Sequence, residues 1–275
     1  MKKRTAANLA RKIKNPTPSP DTDAPKSSSK EQPSSKPPSK PTTRKPLRAI
    51  RRSIFRRRIS IPAKTICIIG DTPAATLTAQ FLDSILRVND HTTALITSTE
   101  LGASLSEDAE LRRFLTQAKR TAPDFTIIEI TPELARHIEG RLTPHMAVLT
   151  SLVTARDDSD SLLVKSQMQL FENEPDFIVL NHDDAWFDLF DEFIAANLKL
   201  SYGSHPVANI AITKTKLYKK GTESILTLDN KEKLTVATYS TDPDAISAMA
   251  ASAAAASLLD VDPPEIQEGI ASFEL

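Results

Sequence analysis

One short stretch of the sequence has the layout of a phosphate-binding loop. The apolar run Thr65–Ile69 reaches Gly70, a polar turn follows, and a helix-like segment begins at Ala74. In such loops backbone N–H groups surround phosphates, a lysine neutralises their charge, and a Ser or Thr hydroxyl binds Mg²⁺. The sequence Gly-Lys-Ser/Thr is absent. The stretch therefore predicts the fold of a phosphate-binding loop without its charged chemistry.

The elements around this loop alternate in type. Short apolar runs, typical of buried parallel strands, are separated by segments of helical periodicity. The runs are TICIIG, TTALITS, DFTIIEI, HMAVLTSL and DFIVLNHDD, and the helical segments cover 74–88, about 106–120, 159–171 and 185–197. This order predicts right-handed crossovers and an α/β fold with a doubly wound, mostly parallel, P-loop-like sheet.

The rhythm changes after residue 197. Four alternating segments, separated by turn residues, predict an antiparallel extension of the sheet. They are LKLSYG, NIAITKTKLYKKG, ESILTLDN and KLTVATYS. An Ala-rich helix over 244–259 and a short helix over 264–273 are predicted to complete a domain that spans 62–275.

The N-terminal part of the chain has a different composition. Residues 1–60 contain 18 lysines and arginines and 3 acidic residues, whereas the remainder contains 17 and 32. Residues 1–46, rich in Pro, Ser and Lys, offer almost nothing to bury, and we expect them to be disordered. Residues 47–61 place Leu47, Ile50, Ile54 and Ile61 at helical spacing, which predicts a short basic amphipathic helix.

Several partners would suit this basic N-terminus. The arginines of the predicted helix could contact an anionic membrane surface or nucleic acid. They are Arg48, Arg51, Arg52, Arg56, Arg57 and Arg58. Alternatively, the apolar stripe packs on the α/β domain and the tail contacts the acidic body of its own chain. These three interpretations remain open at the level of sequence.

Other features concern the cellular compartment. Cys67 is the only cysteine, so no disulfide can form within the chain, as suits a reducing cytosol. No apolar run approaches the length of a transmembrane segment, and no apolar stretch of a secretory signal follows the N-terminal MKKR. We expect a cytoplasmic protein, peripheral at the inner face of the membrane if the basic helix binds lipid.

The order of landmarks over 64–273 resembles the central, ATP-binding domain of the Mur ligases. That family joins amino acids to peptidoglycan precursors through an acyl-phosphate. Its GTNGKTT loop corresponds to 70–76, its strand-ending glutamate to Glu129, and its Thr-Asn-Leu motif to the segment that starts at Thr150. Its Asn-x-Asp-Asp motif corresponds to NHDD at 181–184, and Tyr202-Gly203 opens the β extension as in the family.

The departures from the family fall on its working residues. The loop lysine corresponds to Ala74, the magnesium-binding threonine to Ala75, and the preceding glycine to Pro73, which has no N–H. A family histidine that binds metal corresponds to Arg156, which cannot ligate a metal. The family lysine that becomes carbamylated falls near Gln167, and Lys165 is two residues out of register.

The resemblance implies a set of candidate site residues. The candidates for nucleotide or anion binding are Gly70, Thr72, Thr76, Asn181, Asp183, Asp184 and Arg156, and those for a metal are Glu129 and Thr150. Each also has a structural interpretation, because carboxylate and Asx side chains at strand-to-helix turns commonly cap helices. No catalytic residue is assigned, and Mg-ATP is implied as a cofactor only if the family activity survives.

Three functions follow from these observations. The first is a degenerate, non-catalytic binding or scaffolding module with a protein partner in cell-envelope synthesis. The second is an ATP-dependent ligase, or its nucleotide-binding part, completed by a partner. The third is an anion-binding module in which Arg156 meets a phosphate. The run Pro73-Ala74-Ala75 counts against the second function.

Overall fold

The computed structural model describes most of the chain after residue 59. The described residues are 60–62, 64–70, 73–98, 107–138, 142–151, 167–168, 170–171, 174–229 and 231–273. The predicted disordered tail over 1–46 therefore lies outside the described residues, as does the predicted basic helix over 47–61 except for residues 60 and 61, which are not helical. Thr72, Arg156 and Lys165 also lie outside the described residues, as does most of the helix predicted over 159–171.

Six parallel strands form the larger part of a nine-stranded sheet. They are β1 (Thr65–Ile69), β2 (Thr93–Ile96), β3 (Phe125–Ile130), β4 (Met146–Leu149), β5 (Phe177–Asn181) and β6 (Leu198–Gly203). Their order in the sheet is β2-β3-β1-β4-β5-β6. The predicted parallel sheet is thus confirmed. The assignment of LKLSYG to the antiparallel extension was wrong, because β6 pairs in parallel with β5 from Phe177–Leu198 to Asn181–Tyr202.

Three further strands form the antiparallel extension. They are β7 (Ile210–Tyr218), β8 (Gly221–Thr227) and β9 (Lys233–Thr238). β7 joins β6 through only two parallel residue pairs, whereas it pairs with β8 along nearly its whole length. Along β9 buried and exposed residues alternate, as expected for a strand with one face on the core and one outside.

Helices cover both faces of the sheet. They are α1 (Pro73–Val88), α2 (Glu107–Thr121), α3 (Pro132–Ile138), α4 (Phe187–Phe193), α5 (Asp244–Leu258) and α6 (Pro263–Ala271). Residues of α1, α5 and α6 share one apolar cluster with Ile66 and Ile68, while α2, α3 and α4 share the other with Cys67 and Ile69. Alternate residues of β1 therefore enter opposite cores, and the doubly wound fold is confirmed.

Two helical segments differ from the sequence prediction. The helix predicted over 185–197 is the two-turn α4, because the chain becomes extended at Ile194 before it enters β6. α3 was missed, since seven residues give too little helical periodicity to detect. Among the described residues, no helix is both long and apolar enough to cross a bilayer.

The Ala-rich helix α5 is buried on all sides. It contacts β5 to β8 on one side and α1 and α6 on the other. From Ala248 to Ala256 every residue is buried, and the alanines and Met249 within this stretch are fully so. Small alanine side chains let α5 pack closely against the sheet and the helices on either side, and seven of the nine residues from Ala248 to Ala256 are alanines.

Candidate functional site

A cleft of about 770 Å³ opens at the carboxyl end of the parallel strands. Its near wall contains Gly70, Pro73, Thr76, Ser98 and Glu129, and its far wall contains the segment 239–243 that leads into α5. After β1 the chain passes to α1 on one face of the sheet, and after β3 it passes to α3 on the other. Ligands of doubly wound sheets bind at such a reversal of strand order.

Glu129 is held by hydrogen bonds at the floor of the cleft. Its side chain is only 3% exposed. Oε1 accepts hydrogen bonds from Thr76 Oγ1 at 2.9 Å and from Ser98 Oγ at 2.9 Å, and Oε2 accepts one from the Ser98 backbone N–H at 2.8 Å. Three uncharged donors from α1 and from the end of β2 therefore fix the predicted metal ligand.

The loop between β1 and α1 brings no cation to the cleft at its described positions. Pro73 is the first helical residue, where its fixed φ suits the helix and its missing N–H breaks no helical hydrogen bond. Ala74 is 5% exposed and Ala75 is fully buried in the core. Ala74 and Ala75, which correspond to the family lysine and threonine, therefore help α1 to pack against the core.

Thr150 lies behind the loop. A Cβ at Gly70 would stand 2.2 Å from Thr150 Oγ1, so only glycine fits where β1 ends. The Thr150 hydroxyl donates to the Ile69 carbonyl at 3.1 Å, and the Asn181 side-chain amide donates to the Thr150 carbonyl at 2.7 Å. Thr150 and Asn181 thus tie together the ends of β1, β4 and β5.

The two aspartates of NHDD bind backbone groups. Asp183 Oδ2 accepts a hydrogen bond from the Ser204 N–H at 2.6 Å, and Asp184 Oδ1 accepts one from the Trp186 N–H at 2.8 Å. Gly203 has φ 152°, and a Cβ there would lie 2.9 Å from the Asp183 carboxylate. At these contacts Asp183 joins the ends of β5 and β6, while Asp184 opens the turn into α4.

The far wall of the cleft is aromatic and acidic. Tyr239 is 66% exposed, and Asp242 accepts a hydrogen bond from the Asp244 N–H at 2.9 Å. Burial, and to a smaller extent the charge of Asp242, raise the pKa of Asp244. The described lining of the cleft includes the carboxylates Glu129 and Asp242 and contains no lysine or arginine.

The structure brings only some of the predicted residues together. Gly70, Thr76 and Glu129 line the cleft, whereas Thr150, Asn181, Asp183 and Asp184 are not among its described lining residues. Sequence reasoning missed Ser98, Thr131 and Tyr239. The resemblance places the family's adenine-contacting pattern on STDPD at 240–244, but that segment was not proposed as a site because it lacks the family's asparagine. Ser98 follows β2 as Glu129 ends β3, so the rule that the carboxyl ends of parallel strands converge could have found it.

The fold and the cleft together define a doubly wound α/β domain with a cleft at its strand-order reversal. The sequence pattern of the Mur ligase middle domain matches residues 70–256. The chain belongs to the Mur ligase family through this domain, and the resemblance predicted from the order of its motifs is confirmed.

Solved structures share this fold. MurF from Acinetobacter baumannii superposes with a TM-score of 0.62 at 16% identity, over 77% of this chain and 46% of that protein. MurF ligase from Thermotoga maritima, in complex with ADP, superposes with a TM-score of 0.60 at 14% identity, over 78% of this chain and 49% of that protein. A pseudomurein peptide ligase type C from Methanothermus fervidus superposes with a TM-score of 0.55 at 17% identity, over 81% of this chain and 51% of that protein. This chain spans about half the length of each, and no curated protein matches its sequence.

The described residues do not fit the Mg-ATP that the family implies. Ala74 and Ala75, at the positions of the family lysine and magnesium-binding threonine, offer neither a cation nor a hydroxyl. Gln167, near the position of the carbamylated lysine, is a buried neutral amide without a hydrogen-bond partner among the described residues. Within those residues no three His, Cys, Asp or Glu side chains are grouped so that they could hold a metal ion.

Proposed function

We propose that this chain is a degenerate Mur ligase domain that serves as a non-catalytic binding or scaffolding module in cell-envelope (peptidoglycan) synthesis. The observation that carries the proposal is the burial of Ala74 and Ala75. They pack the first turn of α1 where the family places its lysine and its magnesium-binding threonine, so these positions offer neither a cation nor a hydroxyl.

Electrostatics supports the absence of phosphoryl transfer. Catalysis of this reaction depends almost entirely on positioned cations that stabilise the triphosphate and its transition state. The described lining of the cleft supplies carboxylates from Glu129 and Asp242 instead. A triphosphate entering this cleft would meet like charge, so the described residues favour a ligand other than a nucleotide triphosphate.

The experiment that tests the proposal measures Mg-ATP binding and turnover. We expect calorimetry to detect no Mg-ATP binding in the micromolar range and phosphate release no faster than that of a heat-killed sample. Micromolar affinity, or turnover above that sample, would overturn the non-catalytic proposal and favour the ligase.

Rebuilding the loop sharpens this test. The variant Pro73→Gly, Ala74→Lys, Ala75→Thr restores the family residues, and its matched control carries Ala74→Gln in place of Ala74→Lys. Because a hydrogen bond to a charged group contributes about 1.5–3 kcal/mol, we expect the lysine variant to bind Mg-ATP about tenfold or more tightly than the control. Hydrolysis should stay absent, since Arg156 and Gln167 still stand where the family has its metal-binding histidine and its carbamylated lysine. Equal binding by the two variants would show that the defect lies outside the loop.

The basic N-terminus forms a second part of the proposal. Its 18 lysines and arginines in 60 residues suit a polyanion, and the stripe that includes Ile50 and Ile54 suits a lipid surface. At an anionic leaflet this segment would place the domain at the inner face of the membrane. Nucleic acid is the alternative polyanion, and packing of the stripe on the protein itself is the alternative without one.

Vesicle co-sedimentation distinguishes these cases. If the segment binds lipid, the protein sediments with anionic but not with neutral vesicles, and Ile50→Asp with Ile54→Asp abolishes sedimentation. Ala49→Asp with Ser53→Asp adds the same charge outside the stripe and should retain most of it. Equal loss in both pairs, with a steep salt dependence, would indicate electrostatics alone. No sedimentation and no oligonucleotide binding would leave only self-packing.

A further inference from the structure

The outward face of β7–β9 carries an excess of positive charge. Along β8 and β9, residues on this face alternate with more buried ones, and the register places Lys214 opposite Ile225 and Lys216 opposite Glu223. Lys219 and Lys220 form the hairpin turn, and Lys233 lies on the same face of β9. We name this set the lysine face: Lys214, Lys216, Lys219, Lys220 and Lys233, with Glu223 as the acidic member.

Exposed tyrosines accompany these lysines. Tyr218 is 52% exposed and Tyr239 is 66% exposed. Both line a pocket of about 290 Å³ whose other residues include Gly221 and Ala237. Aromatic rings set among charged groups are typical of protein–protein interfaces. The opposite side of β8 and β9 packs into the core through Leu226 and Val236, whereas the opposite side of β7 is exposed at Leu217, which is 65% exposed.

A complementary surface lies beside β5 and β6, the strands that precede β7 in the sheet order. Four exposed carboxylates lie on and before α4, and we name them the acidic corner: Asp183, Asp188, Asp191 and Glu192. Asp188, Asp191 and Glu192 share one side of the helix, since they are three and four residues apart. Lys199 offsets part of this charge, with its Nζ 3.5 Å from Asp191 Oδ1.

The acidic corner also carries exposed apolar residues. Leu198, at the start of β6, is 55% exposed, and Val207, in the connection between β6 and β7, is 68% exposed. The Asp183 carboxylate accepts a hydrogen bond from Ser204 at 2.6 Å, so this connection is fixed to the corner. Both surfaces therefore combine apolar side chains with charge of opposite sign.

We propose that the lysine face of one copy of this chain binds the acidic corner of a second copy. The two surfaces belong to the same continuous sheet, so one domain cannot place its own lysine face on its own acidic corner. Complementary charges raise the association rate and set the register, while the apolar residues stabilise the contact. The chain as a whole is neutral, so copies do not repel one another through net charge.

Each copy presents one surface and receives the other. Because the two surfaces lie on neighbouring strands, two copies that make the contact twice close as a dimer, whereas single contacts continue until a ring closes or a filament grows. The inference rests on the charged residues of the two surfaces, which do not line the cleft, although Tyr239 lines both the cleft and the lysine face. It requires only that both surfaces are accessible in the full chain.

Sedimentation of the full-length protein over a range of concentrations tests the proposal. At low ionic strength we expect the average mass to rise above that of the monomer with concentration, and to fall as salt is added. Lys214→Glu with Lys233→Glu reverses charge on the lysine face, and Asp188→Lys with Glu192→Lys reverses it on the acidic corner. Each pair alone should weaken association about tenfold or more, because like charges then face each other.

Mixing the two charge-reversed proteins provides the decisive arm. In the mixture, the reversed lysine face of one variant meets the reversed acidic corner of the other, and the two unaltered surfaces also meet. Association should therefore return. Variants that had failed to fold could not recover association in this way. Arg113→Glu with Arg120→Glu on exposed positions of α2 is the matched control and should leave the mass unchanged.

Three outcomes would overturn the proposal. They are a monomer at every concentration in low salt, association that either charge-reversed pair leaves unchanged, and no recovery on mixing. Binding of a labelled oligonucleotide that disappears with the lysine-face pair, in a protein that stays monomeric, would assign the face to nucleic acid.

Discussion

A single added methyl group at Gly269 is expected to lower the free energy of unfolding by about 3 kcal/mol, at the upper end of the usual cost of overpacking. A Cβ at this position on α6 would lie 2.4 Å from Ile85 Cα and 2.9 Å from Ile85 N on α1. Because these are backbone atoms, α1 and α6 must separate. That separation would also weaken the hydrogen bond from Ser84 Oγ to the Gly269 carbonyl, now 2.7 Å long.

Whether Gly269→Ala raises or lowers the free energy of unfolding shows which of two effects dominates, helix propensity or packing. In an exposed helix, replacing glycine with alanine stabilises by about 1 kcal/mol. Urea unfolding of Gly269→Ala therefore separates packing from helix propensity, and Gln267→Ala, at an exposed position of the same helix, is the matched control. A variant as stable as the wild type would show that α1 and α6 do not approach as closely as described.

The second large effect is expected at the centre of α5. Ala254→Leu places additional carbon atoms between α5 and the elements that pack against it, the sheet on one side and α1 and α6 on the other, where Ala254 is fully buried. We expect the free energy of unfolding to fall by about 2–3 kcal/mol, since neither the sheet nor α1 can move away independently.

Thermal and urea unfolding measure this change. Ala109→Leu adds the same atoms at an exposed position of α2 and should alter stability by less than about 0.5 kcal/mol. If the two leucine variants unfold at the same denaturant concentration, α5 would not be closely packed between the sheet and the helices α1 and α6.

Local sequence signals predicted most of the fold. The runs TICIIG and DFTIIEI identified β1 and β3 because strands buried on both faces are continuously apolar. The alanine run identified α5 because alanine favours helix so strongly. β6 was misjudged because a short alternating segment looks alike in parallel and antiparallel pairing, and only its neighbour β5 decides between them.

The site was harder to predict than the fold. Glu129 and Thr76 were candidates from sequence, but the hydrogen bonds of Ser98 to Glu129 join residues 31 positions apart, and no local pattern encodes them. Tyr239 and Asp242 reach the cleft from the connection between β9 and α5, so their place depends on how the antiparallel extension and α5 pack against the parallel strands. Asn181 and Asp183 match a motif, yet the motif does not say whether they meet a ligand or the backbone.

Cys67 gives the protein a built-in reporter of its own opening. It is the only cysteine of the chain, is fully buried in β1, and pairs with Ile128 of β3 and Ala147 of β4. Burial raises the pKa of its thiol, so in the native state it is neither accessible nor ionised. A thiol reagent can react only after the central strand separates from a neighbour, and the labelling rate under native conditions therefore measures how often the core opens. Because a ligand that binds the closed state suppresses opening, any compound that occupies the cleft would slow this reaction, whatever its chemistry.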